Sequence, residues 1–261
     1  KEHSACIVGA LRGNEYQQLY ICSKLIDVLK KIEKHGDIVG ENGILVIPSV
    51  SNMSMDFGKR FWISDDTDLN RLFPGNPSGE SGSRVAYAIM ETTKGYRYGI
   101  HLPSFYLGGT FMPHIRLLDP EHGSTSLANL FGLPYVIEAK SRPFDRTTLH
   151  NNWQKNGTEA FSLYTGMTGK IDDELAAQAV SSILRFLTRM GIIRYYSHSG
   201  YIASVLKEGD LEPIMTEAAG IFIKKAECGQ EVSRGDVLAQ IMKADSGEII
   251  SEVKAPTDGI I

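Results

Sequence analysis

Hydrophobic and polar positions divide the chain into two parts with different periodicity. Up to about residue 197, short apolar runs alternate with longer segments in which apolar residues recur every three or four positions. The short runs are typical of buried strands, and the longer segments are typical of amphipathic helices. The predicted strands are ACIVGA (5–10), GILVIPSV (43–50), YGIHL (98–102), PYVIEA (134–139) and FSLYTG (161–166).

Three segments have the spacing of amphipathic helices. Residues 15–36 carry apolar side chains at helical intervals and stop at Gly36. Residues 84–94 form a shorter helical pattern, and residues 172–191 form a long one with acidic residues first and arginines last, as a helix dipole favours. Strand, helix and strand in this order predict a β-α-β unit, whose strands lie parallel.

Beyond residue 197 the pattern changes to short apolar pieces separated by turn clusters. This spacing predicts a small all-β module. We therefore expect two domains, 1–197 and 198–261, with the boundary near Ser197–Gly200. The fold class predicted for the first domain is α/β, with a mixed, mostly parallel sheet flanked by helices.

Composition and charge narrow the function classes. The 261 residues are 42% hydrophobic and carry a net charge of −4, which gives no electrostatic basis for binding nucleic acid or an anionic membrane. No apolar run approaches the roughly 18 residues of a spanning helix. We expect a cytoplasmic protein with reduced thiols at Cys6, Cys22 and Cys228, and we expect sequence to be missing at both ends.

The turn after the first predicted strand carries candidate chemistry. VGALRGNE (8–15) runs from an apolar strand through a glycine-containing turn into a helix, which is where α/β enzymes place ligands. Glu15 puts a carboxylate at the mouth of this turn, and Arg12 stands three residues earlier. A carboxylate is a metal ligand, whereas a guanidinium stays protonated and binds no metal.

A second loop presents polar side chains before a Pro-Gly turn. DTDLNRLFPG (66–75) places Asn70 beside Arg71, and Arg60 precedes them on the same loop. An arginine fork suits a carboxylate, and an amide adds one donor and one acceptor. The loop is either an anion-binding mouth or a solvated loop with surface salt bridges.

Together these motifs resemble the succinylglutamate desuccinylase/aspartoacylase family, within the zinc carboxypeptidase-like fold. The resemblance is carried by DLNRLFPG, the preceding arginine, GNE after the first strand, IH at 100–101 and the closing APTDG. It covers the whole chain in order. It implies hydrolysis of the acyl amide or ester bond of a carboxylate-bearing, N-acyl amino acid-like molecule at a zinc ion with three protein ligands.

Carried over residue by residue, the resemblance gives an altered site. It implies zinc ligands at Glu15 and His101. It also implies substrate contacts at Arg60, Asn70 and Arg71.

Three positions depart from the family pattern. Arg12 stands where the first zinc histidine is expected, Gly99 replaces an aspartate, and Tyr164 stands at the position of the general-base glutamate. A tyrosine with an ordinary pKa near 10 is a poor base at neutral pH. We therefore expect Arg12 to fold into the vacated metal position and pair with Glu15.

Two readings follow from the altered site. The first is a zinc-dependent hydrolase that recruits another ligand from His114, His122, His150 or the many carboxylates. The second is a catalytically inactive relative, without a cofactor, that binds a carboxylate ligand or a protein partner. No G-x-S-x-G elbow or phosphate-binding loop competes with these readings.

The C-terminal module resembles biotinyl/lipoyl-type barrels, and Met242–Lys243 imitates a biotin-attachment dipeptide. The family resemblance implies an unmodified module. We expect it to pack against the first domain, to shape the pocket mouth, or to make a contact in a homo-oligomer.

Overall fold

The computed structural model describes residues 2–104, 109–120 and 123–261. Within these residues the main element is a seven-stranded sheet with strand order β2-β1-β3-β6-β4-β5-β7. Its strands are β1 (Glu2–Ala10), β2 (Asn42–Ser49), β3 (Tyr98–His101), β4 (Thr110–Leu118), β5 (Tyr135–Ala139), β6 (Glu159–Met167) and β7 (Ser204–Lys207).

The sheet is mixed and mostly parallel, as predicted. Every neighbouring pair runs parallel except β4 and β6, which are antiparallel. Helices flank it, and their bounds are α1 (Tyr16–Lys34), α2 (Asn52–Asp56), α3 (Ser81–Thr92), α4 (Ser124–Asn129), α5 (Leu149–Lys155) and α6 (Asp173–Arg189). Single 3-10 turns span Leu69–Arg71, Pro143–Thr147 and Glu208–Asp210.

Two apolar clusters fill the sides of this sheet. One lies between the sheet and the pair α1 and α6, and it includes Ile21, Leu25, Ile183 and Phe186. The other lies under α3 and α5 and includes Trp153. Burying such side chains is the main favourable term in folding, and here it fixes α5 on the sheet face that carries the site.

Strand β4 was not among the predicted strands. Its sequence contains Pro113, which has no backbone N–H to donate. The register between β4 and β6 shifts between Phe111 and His114, so the proline falls at an irregularity where a donor is not required. The missed strand places Arg116, which lines the candidate site, on the sheet, and it carries His114 as well.

The chain separates into two compact units, 1–208 and 209–261. Residues 198–208 lie with the first unit because β7 pairs parallel with β5 of the large sheet. The domain boundary predicted near 197 stays a prediction, and this pairing favours one that is later in the sequence.

The second unit contains short antiparallel strands. They are β8 (Ile221–Lys224), β9 (Glu231–Val232), β10 (Val237–Met242), β11 (Ile249–Lys254) and β12 (Gly259–Ile260). Strand β10 pairs with β8 and β11, β9 pairs with β12, and Ala226, Val232, Leu238 and Ala255 form a small core. Across the described part of both units, no helix is long and apolar enough to cross a membrane.

Candidate functional site

The candidate site lies at the carboxyl ends of parallel strands β1, β3 and β6. A cavity of about 430 Å³ opens there. Among the residues that line it are six of the predicted site residues: Arg12, Arg60, Asn70, Arg71, His101 and Tyr164. The seventh, Glu15, is fully buried and hydrogen-bonded to Arg12.

Arg12 is buried between two carboxylates. Its Nη1 donates to Glu15 Oε1 at 3.0 Å. Its Nε and Nη2 donate to the two oxygens of Asp68, each at 2.9 Å. Burial lowers the pKa of Arg12, but the two carboxylates outweigh this effect and raise that pKa above its ordinary value. Arg12 is therefore a fixed cation whose N–H groups are hydrogen-bonded to a carboxylate on each side.

Both oxygens of Glu15 are occupied. Oε2 accepts from the backbone N–H groups of Leu11 and Arg12, at 2.8 and 2.9 Å. Oε1 accepts from Arg12 Nη1 at 3.0 Å and from Ser104 Oγ at 2.6 Å. Four donors saturate this carboxylate, as a buried charge requires.

The turn that holds Arg12 is fixed by the loop behind it. Gly13 N donates to Arg60 O at 3.0 Å. A Cβ at Gly13 would collide with the backbone of Lys59 and Ser54, so the close approach of the two loops requires glycine here. Arg60 Nη1 in turn donates to Asn14 Oδ1 at 3.1 Å, which ties the predicted substrate arginine to the same turn.

Three residues of the DLNR segment contribute to the site. Asp68, which was not among the predicted site residues, is the bidentate partner of Arg12. Asn70 Oδ1 accepts from Leu149 N at 3.1 Å, so its amide oxygen holds the first residue of α5. Arg71 is partly exposed at the mouth, where Nη1 donates to Phe144 O at 3.0 Å and lies 4.0 Å from Asp145 Oδ1.

Three strands place polar residues side by side on the floor of the cavity. In the sheet register, His101 of β3 pairs with Ser162 of β6, and Ser162 pairs with Arg116 of β4. Registered neighbours point to the same face of a sheet. His150 of α5 packs over this row, with Nδ1 2.8 Å from Ser162 Oγ.

The two floor histidines are neutral. Burial lowers the pKa of His101 to about 3, and Arg12 and His150 add to the shift. Burial, followed by the charge of Arg116, lowers the pKa of His150 to about 3 as well. Within the described residues, neither ring has a hydrogen-bond partner at Nε2.

Tyr164 is held as part of the wall. Its ring stacks on His114, with centroids 5.0 Å apart and planes 6° apart, and it meets Phe111 edge-on at 4.9 Å. Burial raises the pKa of Tyr164 above its ordinary value, and the positive charges of Arg116 and Arg12 oppose the shift. A tyrosine with a raised pKa does not serve as a general base at neutral pH.

Gly99 leaves room for an aromatic side chain. A Cβ at Gly99 would lie 2.5 Å from Cε3 of Trp153, whose indole covers this position. The Trp153 Nε1 donates to Thr93 Oγ1 at 2.9 Å, so the ring is fixed. No carboxylate fits at residue 99 while Trp153 holds this place.

The three histidines considered as recruited zinc ligands lie in different places. His150 lines the cavity with His101. His114 is buried behind Tyr164, and its Nδ1 lies 2.8 Å from Met112 O. His122 lies outside the described residues.

Comparison with known proteins identifies the family. Residues 1–190 match the Succinylglutamate desuccinylase/Aspartoacylase catalytic domain. The chain belongs to the succinylglutamate desuccinylase/aspartoacylase family. Its family homologues are acyl-amide hydrolases, and the family is generally zinc-dependent.

Relatives of this family member cover nearly all of the chain. An N-alpha-acetyl-L-2,4-diaminobutyric acid deacetylase of Halomonas elongata is 23% identical, over 99% of this chain and 76% of that protein. A succinylglutamate desuccinylase structure from Silicibacter has a TM-score of 0.84 at 19% identity, over 99% of this chain and 79% of that one. A product-bound ectoine utilization protein from Ruegeria pomeroyi has a TM-score of 0.83 at 20% identity, over 100% and 79%.

The residues present do not fit the zinc ion of the family. Among the described residues, no three His, Cys, Asp or Glu side chains are grouped so that they could hold a metal ion. Glu15 is saturated by its four donors, and the Arg12 guanidinium stays protonated and repels a dication. The residues at the zinc site that the resemblance implies therefore do not fit this ion.

Proposed function

We propose that this protein binds a carboxylate-bearing small molecule similar to an N-acyl amino acid, without zinc-dependent hydrolysis. The observation that carries the proposal is the pairing of Arg12 with Glu15 and Asp68. The guanidinium supplies the positive charge that the buried Glu15 needs, and it takes the position of the metal. The family fold and its substrate pocket are retained, and the water-activating centre is replaced.

Charge in the cavity supports a carboxylate ligand. Four arginines and three aspartates line it. Arg12 and Asp68 satisfy each other, and the exposed Asp66 lies 3.8 Å from Lys59. Since a guanidinium has five N–H donors, Arg71 and Arg116 keep donors for a ligand beyond the contacts already described.

A zinc-dependent hydrolase is the second candidate. It is favoured by His150, which lies in the same cavity as His101 and would supply a further nitrogen ligand. It requires Arg12 to leave its two carboxylates, which is costly because breaking one buried charge pair typically costs about 3–5 kcal/mol.

Metal content and ligand binding together test the proposal. The protein is produced in zinc-supplemented medium, and its zinc is measured by elemental analysis. N-acetyl-L-aspartate is then titrated in by calorimetry, and free acetate is measured after incubation. We expect substoichiometric zinc, saturable binding and no acetate release.

Matched arginine variants link binding to the site. Arg71→Ala is expected to weaken binding by roughly ten- to a hundredfold, since a charged hydrogen-bond donor is lost. The exposed Arg84→Ala on α3 is the control and should bind like the wild type. Stoichiometric zinc together with acetate release would overturn the proposal in favour of the hydrolase.

A further inference from the structure

Two buried imidazoles in the cavity have unfilled hydrogen-bonding atoms. His101 and His150 are 1% and 3% exposed, and in the described part of the chain the Nε2 atom of each lacks a partner. Buried polar atoms are nearly always hydrogen-bonded, so each such atom calls for an explanation. Both residues line the cavity, and a ligand bound deeply enough to reach these two buried atoms would supply the missing partners.

The two rings belong to one patch of the cavity floor. His150 Nδ1 lies 2.8 Å from Ser162 Oγ, and Ser162 is the registered neighbour of His101. Arg116 is the registered neighbour of Ser162 on the other side, and its buried Nε has no described partner either. The cation Arg116 and the imidazoles of His101 and His150 are thus neighbours of Ser162, and each has a nitrogen without a described hydrogen-bond partner.

The chemistry of this patch selects a neutral group beside a carboxylate. A neutral imidazole presents one donor nitrogen and one acceptor nitrogen, and the tautomer decides which of them is Nε2. Two such rings therefore match a group that has both an N–H and a C=O. An amide is such a group, whereas an ester has no N–H and a second carboxylate has no donor at all.

We infer that His101 and His150 form an amide-reading subsite, which holds the acyl amide of the ligand while Arg71 and Arg116 pair with its carboxylate. One ring accepts from the amide N–H, and the other donates to the amide oxygen. The inference rests on the proposed function, because it names the part of the same ligand that the arginines do not bind.

The charges around the two rings agree with this division. Arg12 itself is held by Glu15 and Asp68. Arg71 and Arg116 therefore pair with the carboxylate, and the two imidazoles are left to a neutral polar group.

A matched pair of probes tests the subsite. N-acetyl-L-aspartate and O-acetyl-L-malate differ in the replacement of the amide N–H by an ester oxygen. We expect calorimetry to show that the wild type prefers the amide by about tenfold, the ratio that corresponds to one buried hydrogen bond left unmade. His150→Phe and His101→Phe should each reduce this preference, and His150→Gln, which restores a polar group near the Nε2 position, should recover part of it.

The control is another buried histidine. His114→Phe keeps an aromatic ring against Tyr164 and should retain the wild-type preference. Folding of each variant is checked by circular dichroism. A second measurement needs no variant: the ¹⁵N resonances of the two Nε2 atoms should shift when the amide probe binds and should shift differently with the ester.

The outcomes separate this inference from the proposed function. If neither probe binds the wild type, the proposed function fails. If both probes bind equally well, or if His150→Phe weakens both to the same extent, the subsite is overturned while carboxylate binding stands. A preference for the amide that is lost in both phenylalanine variants supports the subsite.

Discussion

Arg12 and Asp68 form a bidentate ion pair, with Nε to Oδ1 and Nη2 to Oδ2 both at 2.9 Å. The pair joins the turn after β1 to the DLNR segment, across more than fifty residues of sequence. Because Arg12 also binds Glu15, one guanidinium holds two carboxylates. Removing the Arg12 side chain would leave the Glu15 and Asp68 carboxylates without their main counter-charge.

Arg12→Ala is therefore expected to destabilise the fold by about 3–5 kcal/mol, the usual cost of breaking a buried charge pair from one side. Urea unfolding at pH 7 measures the change. Arg12→Lys should be intermediate, since an ammonium cannot form the bidentate pair. The control Lys94→Ala removes an exposed pair with Glu91 and should change stability by less than about 1 kcal/mol. An Arg12→Ala protein as stable as the control would show that the pair contributes nothing.

The double variant Arg12→His with Asp68→Asn is expected to gain zinc. It supplies a third nitrogen or oxygen ligand beside Glu15 and His101, and it leaves no orphaned aspartate at residue 68. Three protein ligands are the usual number at a catalytic zinc ion. Elemental analysis after dialysis against zinc should give a clear rise over the wild type. Asp68→Asn alone serves as the control, and a double variant that stays zinc-free would show that Glu15 and His101 are not placed to share a metal.

Gly99→Ala is expected to cost about 1–3 kcal/mol, the usual range for overpacking a core. The new Cβ would press on the Trp153 ring. In a Trp153→Leu protein, which lacks the indole, Gly99→Ala should change the free energy of unfolding very little. A double-mutant cycle measures this difference as a coupling energy. Gly209→Ala, which meets nothing within 4 Å, is the matched control. Additive effects of the two changes would mean that Trp153 does not exclude a side chain at residue 99.

Stability is expected to fall as the pH drops from about 6.5 towards 4. Burial lowers the pKa of His114 to about 4, so between these values the unfolded chain binds a proton that the folded chain does not. The free energy of unfolding should then fall by about 1 kcal/mol per pH unit for this residue. Urea unfolding at pH 7, 6 and 5 gives the slope, and His114→Phe should reduce it by that amount. The exposed His35→Phe is the control, and equal slopes in all three proteins would contradict the expectation.

Five strands of the large sheet, β1, β2, β3, β5 and β6, and the two longest helices could be predicted from periodicity alone. The helix expected at 172–191 spans Asp173–Arg189, and the one expected at 15–36 spans Tyr16–Lys34. Strand β4 was missed because Pro113 interrupts its apolar pattern, and Arg116 was missed with it. A charged residue inside the apolar run HIRLL was the signal that could have found it.

The site could be predicted only in part. The family motifs pointed to Arg12, Arg60, Asn70, Arg71, His101 and Tyr164, and all six line one cavity. The roles of these residues stay proposals. Asp68 went unassigned although it lies inside the DLNR string, because no sequence pattern shows which distant cation a carboxylate will meet.

The sequence by itself determined which residue types are available: an arginine where the family resemblance implies a zinc ligand, and a glycine and a tyrosine where it implies carboxylates. Residue types are set by the covalent chain, so they limit which metal ligands and bases the site can contain before the chain folds. Only the tertiary structure decided what the replacements do. Arg12 finds Asp68, Trp153 covers Gly99, and His101 meets the patch formed by His150 and Ser162, because parallel strands and one helix bring distant segments to the same edge of the sheet.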